Sequence, residues 1–151
     1  MKLTELVDGR IINLNLVSTN KNDLFVEMGG MLHDAGYVSD LDHFVDALHQ
    51  REKEFSTGLG FGFGIPHARS KVVNKPAIAI GRCTSVDDYE AFDNIPIRMV
   101  LMIAVPENQN DDYMVILSQI SRRLMNEEFR NKLMTASSPE EILDLLNKTI
   151  K

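Results

Sequence analysis

The sequence predicts an α/β layered domain in which a mixed β-sheet is flanked by helices. Two continuous apolar runs, residues 77–83 and 97–105, are the first sign, since runs this short and this apolar read as strands buried on both faces. Amphipathic segments with capping residues surround them and supply the helices. Strands interleaved with such helices build layers around one core.

Taken in order, residues 11–17 alternate apolar and polar through Ile12, Leu14 and Leu16 and read as a first strand. A helix follows over 20–35, with Leu24, Phe25, Met28, Leu32 and Ala35 at helical spacing and Gly36 as its stop. Asp40 reads as the N-cap of a second helix, whose apolar face is Leu41, Phe44, Val45 and Leu48 and which runs past Arg51 to about Phe55. In 58–67 every second residue is glycine up to Gly64, with Leu59, Phe61, Phe63 and Ile65 between. This predicts an extended segment with one bare face and one apolar face packed inward. Pro66 is expected to end that ladder and leave His67 at a strand end. After the two apolar strands, Pro106 closes the second. A long helix fits 111–125, with Val115, Ile116, Ile120 and Leu124 inward and Asp111-Asp112 at its positive end. Asn126 caps a shorter helix through Met134, and Ser138-Pro-Glu-Glu141 opens a last one through Ile150.

Composition narrows the function. With 151 residues the chain has room for one domain, 1–151, and 44% hydrophobic with 25% charged residues is ordinary for a soluble protein. A net charge of −6 without a basic block argues against nucleic-acid binding. The longest apolar stretch, 99–105, is too short to insert in a membrane, and residues 1–8 lack an apolar leader; a cytoplasmic protein is expected. One cysteine, Cys83, and histidines without HExxH spacing predict no metal site, and without a Gly-Lys-Ser/Thr loop a nucleotide kinase is not expected.

Of the four histidines, His33, His43 and His49 fall within predicted helices and read as surface residues. His67 differs by its place after a proline, beside a glycine-lined surface. A neutral imidazole there is a nucleophile, one nitrogen attacking while the other donates a hydrogen bond. Arg51 offers a planar fork suited to phosphate oxygens, and Ser56 and Thr57 offer hydroxyl donors. Residue types alone leave the alternatives open: a loop histidine without chemistry, and an arginine that merely bonds the last carbonyls of its helix.

The 17 residues from Arg51-Glu52 through Ser56-Thr57-Gly58 and the alternating glycines to Ile65-Pro66-His67 resemble the active-site stretch of the fructose/mannitol-type enzyme IIA domains of the phosphoenolpyruvate-dependent sugar phosphotransferase system. Val105-Pro106-Glu107, the helix beyond it and the late Ser-Pro-Glu-Glu helix extend the resemblance over nearly the whole chain. It implies a relay without cofactor. The phosphocarrier HPr would donate a phosphoryl group to Nε2 of His67, Arg51 would stabilise it, and a cysteine of an enzyme IIB domain would receive it in bacterial sugar uptake. The resemblance also admits a regulatory protein of the nitrogen-related branch, controlling partners through the same histidine. The sugar is left open. Many members carry a second histidine near the start of the helix after Val-Pro-Glu; here Tyr113 aligns with it.

Overall fold

A computed structural model describes residues 2–147. Among them six strands form one sheet: β1 (Ile12–Asn13), β2 (Gly58–Gly60), β3 (Phe63–Gly64), β4 (His67–Ser70), β5 (Ala77–Val86) and β6 (Ile97–Pro106). Five helices accompany it: α1 (Lys21–Asp34), α2 (Leu41–Glu54), α3 (Asn110–Leu124), α4 (Glu127–Thr135) and α5 (Pro139–Asn147). The strand order is β1-β5-β6-β3-β2, with β4 also paired to β6. β5 and β6 are antiparallel, while β1 joins β5 and both β3 and β4 join β6 in parallel. This is the mixed, helix-flanked sheet that the sequence predicts. Residues 148–150 of the predicted last helix lie outside the described residues.

Local chemistry sets the helix ends. Asn20, Asp40 and Asn126 each accept a hydrogen bond from the backbone N–H three residues on, that of Asp23, His43 and Phe129. Neighbouring residues of β5 show that helices cover both faces. Above Gly81 a Cβ would stand 2.4 Å from Leu16 and 3.1 Å from Met28 of α1, whereas Arg82 donates to the Met134 carbonyl of α4 at 2.9 Å. The central strands are almost wholly buried between these layers.

Four expectations are corrected. The predicted first strand shrinks to Ile12–Asn13. The Asn13 side chain accepts the Asn15 N–H at 2.8 Å and turns the chain, and the Glu27 carboxylate of α1 takes the N–H groups of Val17 and Ser18. Leu14 and Leu16 stay buried, and the Leu16 N–H still reaches the Arg82 carbonyl of β5 at 2.9 Å.

The alternating-glycine segment is a hairpin, not one extended strand. Gly60 pairs with Phe63, and the two residues between them, Phe61 and Gly62, have φ of +58° and +84°, the pattern of a primed turn. Phe61 therefore faces solvent instead of the core, its N–H held at 2.8 Å by Asp93 and its ring 3.8 Å from the Arg130 guanidinium; Phe63 is buried as expected. Pro66 does not end the ladder either. β3 and β4 pair with β6 at the same offset of 36 residues (Phe63 with Met99, His67 with Ile103), so the proline only interrupts one edge, and His67 opens a strand. In α3, Ile116, Ile120 and Leu124 are buried but Val115 points outward, one residue off the inward face.

The hairpin runs against the loop before β6 with no room for a side chain. A Cβ at Gly58 would lie 2.1 Å from the backbone oxygen of Glu90, which cannot swing aside. Gly58→Ala should therefore destabilise the fold by about 1–3 kcal/mol, read from urea unfolding midpoints; a variant as stable as wild type would contradict this contact.

Candidate active site

β4, α2 and α3 meet at an open cleft of about 800 Å³. Its walls are Ala47, Gln50, Arg51, Lys53 and Glu54 from α2, His67, Ala68 and Arg69 from β4, and Tyr113, Met114 and Leu117 from α3. Helical spacing explains the first set, since 47, 50, 51 and 54 share one face.

His67 is 7% exposed and held at both nitrogens. Nδ1 lies 2.7 Å from the Ile65 carbonyl oxygen, which can only accept, so Nδ1 carries the proton. Nε2 then has a free lone pair, and Arg51 Nε donates to it at 3.1 Å. Burial first, and the Arg51 charge second, hold the imidazole below its ordinary value, against the opposing pull of the Ile65 carbonyl. The ring is neutral at neutral pH, with its nucleophilic nitrogen facing a cation.

Arg51 bonds the end of its own helix and His67 at once. Nη1 bonds the Phe55 carbonyl at 2.8 Å, as a helix-end arginine does, and this bond turns Nε toward His67. Glu54 stands 3.8 Å from Nε, an exposed and weak ion pair. Tyr113, in the first turn of α3, places its ring 5.6 Å from that of His67, centroid to centroid. Its hydroxyl is pushed up to about 12, chiefly by burial, so it remains a neutral donor.

Ser56 and Thr57 do not line this cleft. The Ser56 hydroxyl bonds the Glu90 carbonyl, and the Thr57 hydroxyl bonds Glu52 and Tyr89. Their donors are occupied by groups distant in sequence or buried, which sequence spacing could not reveal. His33 and His43 are exposed as expected; His49 is half-buried, bonding Asn22 at 2.8 Å and lying 5.0 Å from the Phe25 ring.

Arg69 is one of the wall residues that sequence reasoning missed. Once His67 opens a strand, period-two alternation puts Arg69 on its face, with the guanidinium 5.9 Å from the Tyr113 ring. Among the described residues no group of three or more His, Cys, Asp or Glu converges on a metal-sized site.

Comparisons with known proteins agree on one family. A fructose-specific EIIABC component of Bacillus subtilis is 40% identical over 148 residues; the match takes in 98% of this chain, which spans 23% of that relative's length. A fructose-specific EIIA component of Haloferax volcanii is 43% identical over 118 residues, 78% of this chain and 77% of the relative. The crystal structure of nitrogen regulatory protein IIA-Ntr from Neisseria meningitidis superposes with a TM-score of 0.87 at 31% identity, covering 95% of this chain and 98% of that one. Residues 5–149 match the family described as phosphoenolpyruvate-dependent sugar phosphotransferase system, EIIA 2, and the chain belongs to it.

Proposed function

We propose that this chain is a phosphoryl carrier of a sugar phosphotransferase system, loaded on Nε2 of His67 by phospho-HPr and unloaded onto an enzyme IIB domain. The observation that carries this reading is the contact between Arg51 Nε and the unprotonated Nε2 of a desolvated, tautomer-fixed His67. The Nε2 lone pair attacks the phosphorus while the bond to the donor imidazole breaks. That imidazole leaves with its electron pair. Arg51 gives up Nε2 and turns its fork to the phosphoryl oxygens, which spread charge as the group passes between partners. Unloading runs the same step in reverse toward the IIB acceptor, a cysteine in the relay that the family resemblance implies. Neither direction calls for a bound nucleotide or metal from this chain.

The identity to two fructose-specific relatives favours a fructose-type IIB acceptor, and the B component in the name of the Bacillus relative fits a partner of that kind. The regulatory alternative draws on the Neisseria structure at 31% identity, below the 40% and 43% of the fructose relatives. No described helix is long and apolar enough to cross a membrane, in keeping with a cytoplasmic relay unit that meets its permease through IIB.

The deciding experiment is incubation with enzyme I, HPr and phosphoenolpyruvate, followed by candidate IIB domains. The full chain should gain one phosphoryl group, stable in base and lost in acid, and pass it to a fructose-type IIB. His67→Gln should gain none; uptake by that variant would displace the assignment. Failure of every sugar-specific IIB to accept the group would favour the regulatory alternative.

Arg51→Lys keeps a charge but loses the fork, so phosphoryl acceptance should slow by an amount on the order of 2–4 kcal/mol in activation free energy. A wild-type rate in Arg51→Ala would reduce the residue to a helix end.

Tyr113, its ring 5.6 Å from that of His67, aligns with the second histidine of many family members, and in that role its phenol would offer one neutral donor in place of a charge. Tyr113→Phe should weaken phosphorylation by roughly 0.5–1.5 kcal/mol, the worth of one such bond. An unchanged rate in single-turnover kinetics would leave Tyr113 as packing against His67.

A further inference from the structure

The carbonyl that fixes the His67 tautomer is available because of an irregularity in the hairpin. Gly58 pairs with Gly64, so Thr57 stands opposite Ile65 at the next position of the antiparallel ladder. Every second pair of such a ladder exchanges two hydrogen bonds, and one bond between Ile65 and Thr57 marks this pair as of that kind. Here the Ile65 N–H reaches the Thr57 carbonyl at 3.0 Å, but the Thr57 N–H does not return to Ile65. It goes to the Glu52 carboxylate, at 3.1 and 3.3 Å from its two oxygens. The Ile65 carbonyl is thereby left to the His67 Nδ1–H.

Glu52 is well placed to hold that N–H. Its side chain is 5% exposed, and a carboxylate so desolvated needs donors. Because a carboxylate only accepts, the Thr57 hydroxyl must donate to it, and the fully buried Tyr89 hydroxyl then donates to Thr57. Lys21 Nζ adds a cation at 3.8 Å. The network holds the Thr57 N–H away from the carbonyl that grips the imidazole.

We propose that Glu52 is a positioning residue for His67: by claiming the Thr57 N–H it reserves the Ile65 carbonyl for Nδ1–H and keeps Nε2 free to attack. This rests on the reading of His67 as the phosphoryl acceptor. Consecutive residues of α2 thus govern the two nitrogens of one ring, Arg51 directly at Nε2 and Glu52 through two backbone groups at Nδ1.

The test reads the tautomer without any phosphoryl transfer, by two-bond ¹H–¹⁵N NMR of the full-length protein at a pH where His67 is neutral. Wild type should show the Nδ1–H form alone; a wild-type Nε2–H form overturns the proposal before any variant is made. Glu52→Met fills the volume without an acceptor and frees the Thr57 N–H to compete for Ile65. It should show a mixture of tautomers and take phosphate from phospho-HPr about tenfold more slowly, the lower end of losses when the partner that orients a working histidine is removed. Glu52→Gln, which keeps one acceptor oxygen, should restore the Nδ1–H form. A folded Glu52→Met protein with the wild-type tautomer, or a glutamine variant no better than methionine, overturns the proposal. Absence of phosphorylation in wild type would instead overturn the carrier reading, and the tautomer result would stand apart from it.

Discussion

At the step Ile65-Pro66 a backbone edge and a reactive ring share one hydrogen bond. β3 and β4 are a single edge of β6 in a single register, and the proline between them has no N–H to donate. The Ile103 N–H still reaches the Pro66 carbonyl at 2.9 Å, so the step stays fastened to the buried centre of the sheet. The Ile65 carbonyl faces the other way and accepts from His67. The imidazole is therefore oriented by a backbone step fastened to a buried strand, although it opens into a solvent-facing cleft. Every other feature of the site takes its meaning from that bond, because it decides which nitrogen has the lone pair that Arg51 meets.

Much of this could be read in the sequence where the physics is local. Asn20, Asp40 and Asn126 act as caps because a short polar side chain can reach its own helix whatever the rest of the chain does. The runs that became β5 and β6 are apolar enough to be interior on any plausible topology. His67 and Arg51 stood out through the pattern that joins them, and they are neighbours in space. The glycine alternation was misleading because two physical uses of glycine overlap in it. Gly58 and Gly64 give close approach, to the Glu90 backbone and to the Tyr89 ring, while Gly62 gives a positive φ in the turn. A strand reading treats them alike. Phe61 in particular adopts its exposed, left-handed conformation with its N–H on Asp93, a contact across 32 residues that no window of sequence contains. The hydroxyls of Ser56 and Thr57 were misjudged for the same reason, since their partners are Glu90 and the buried Glu52–Tyr89 pair.

On the carrier reading, the sparseness of the cleft is itself chemically sufficient. Hydroxyl nucleophiles need a base to remove a proton as they attack; an imidazole fixed as its Nδ1–H tautomer needs none at Nε2. The group that meets Nε2 is a guanidinium, which donates and does not deprotonate, so it can stabilise an incoming phosphoryl group without activating a water against it. Burial adds to this by keeping the imidazole neutral, where protonation would occupy the attacking lone pair. Because neither the Ile65 carbonyl nor Arg51 takes a proton from the ring, nothing they do favours one direction of transfer through a committed proton. A relay requires that balance: the phosphoryl bond must form and break at similar cost, and its direction is then set by the partners that dock over the cleft.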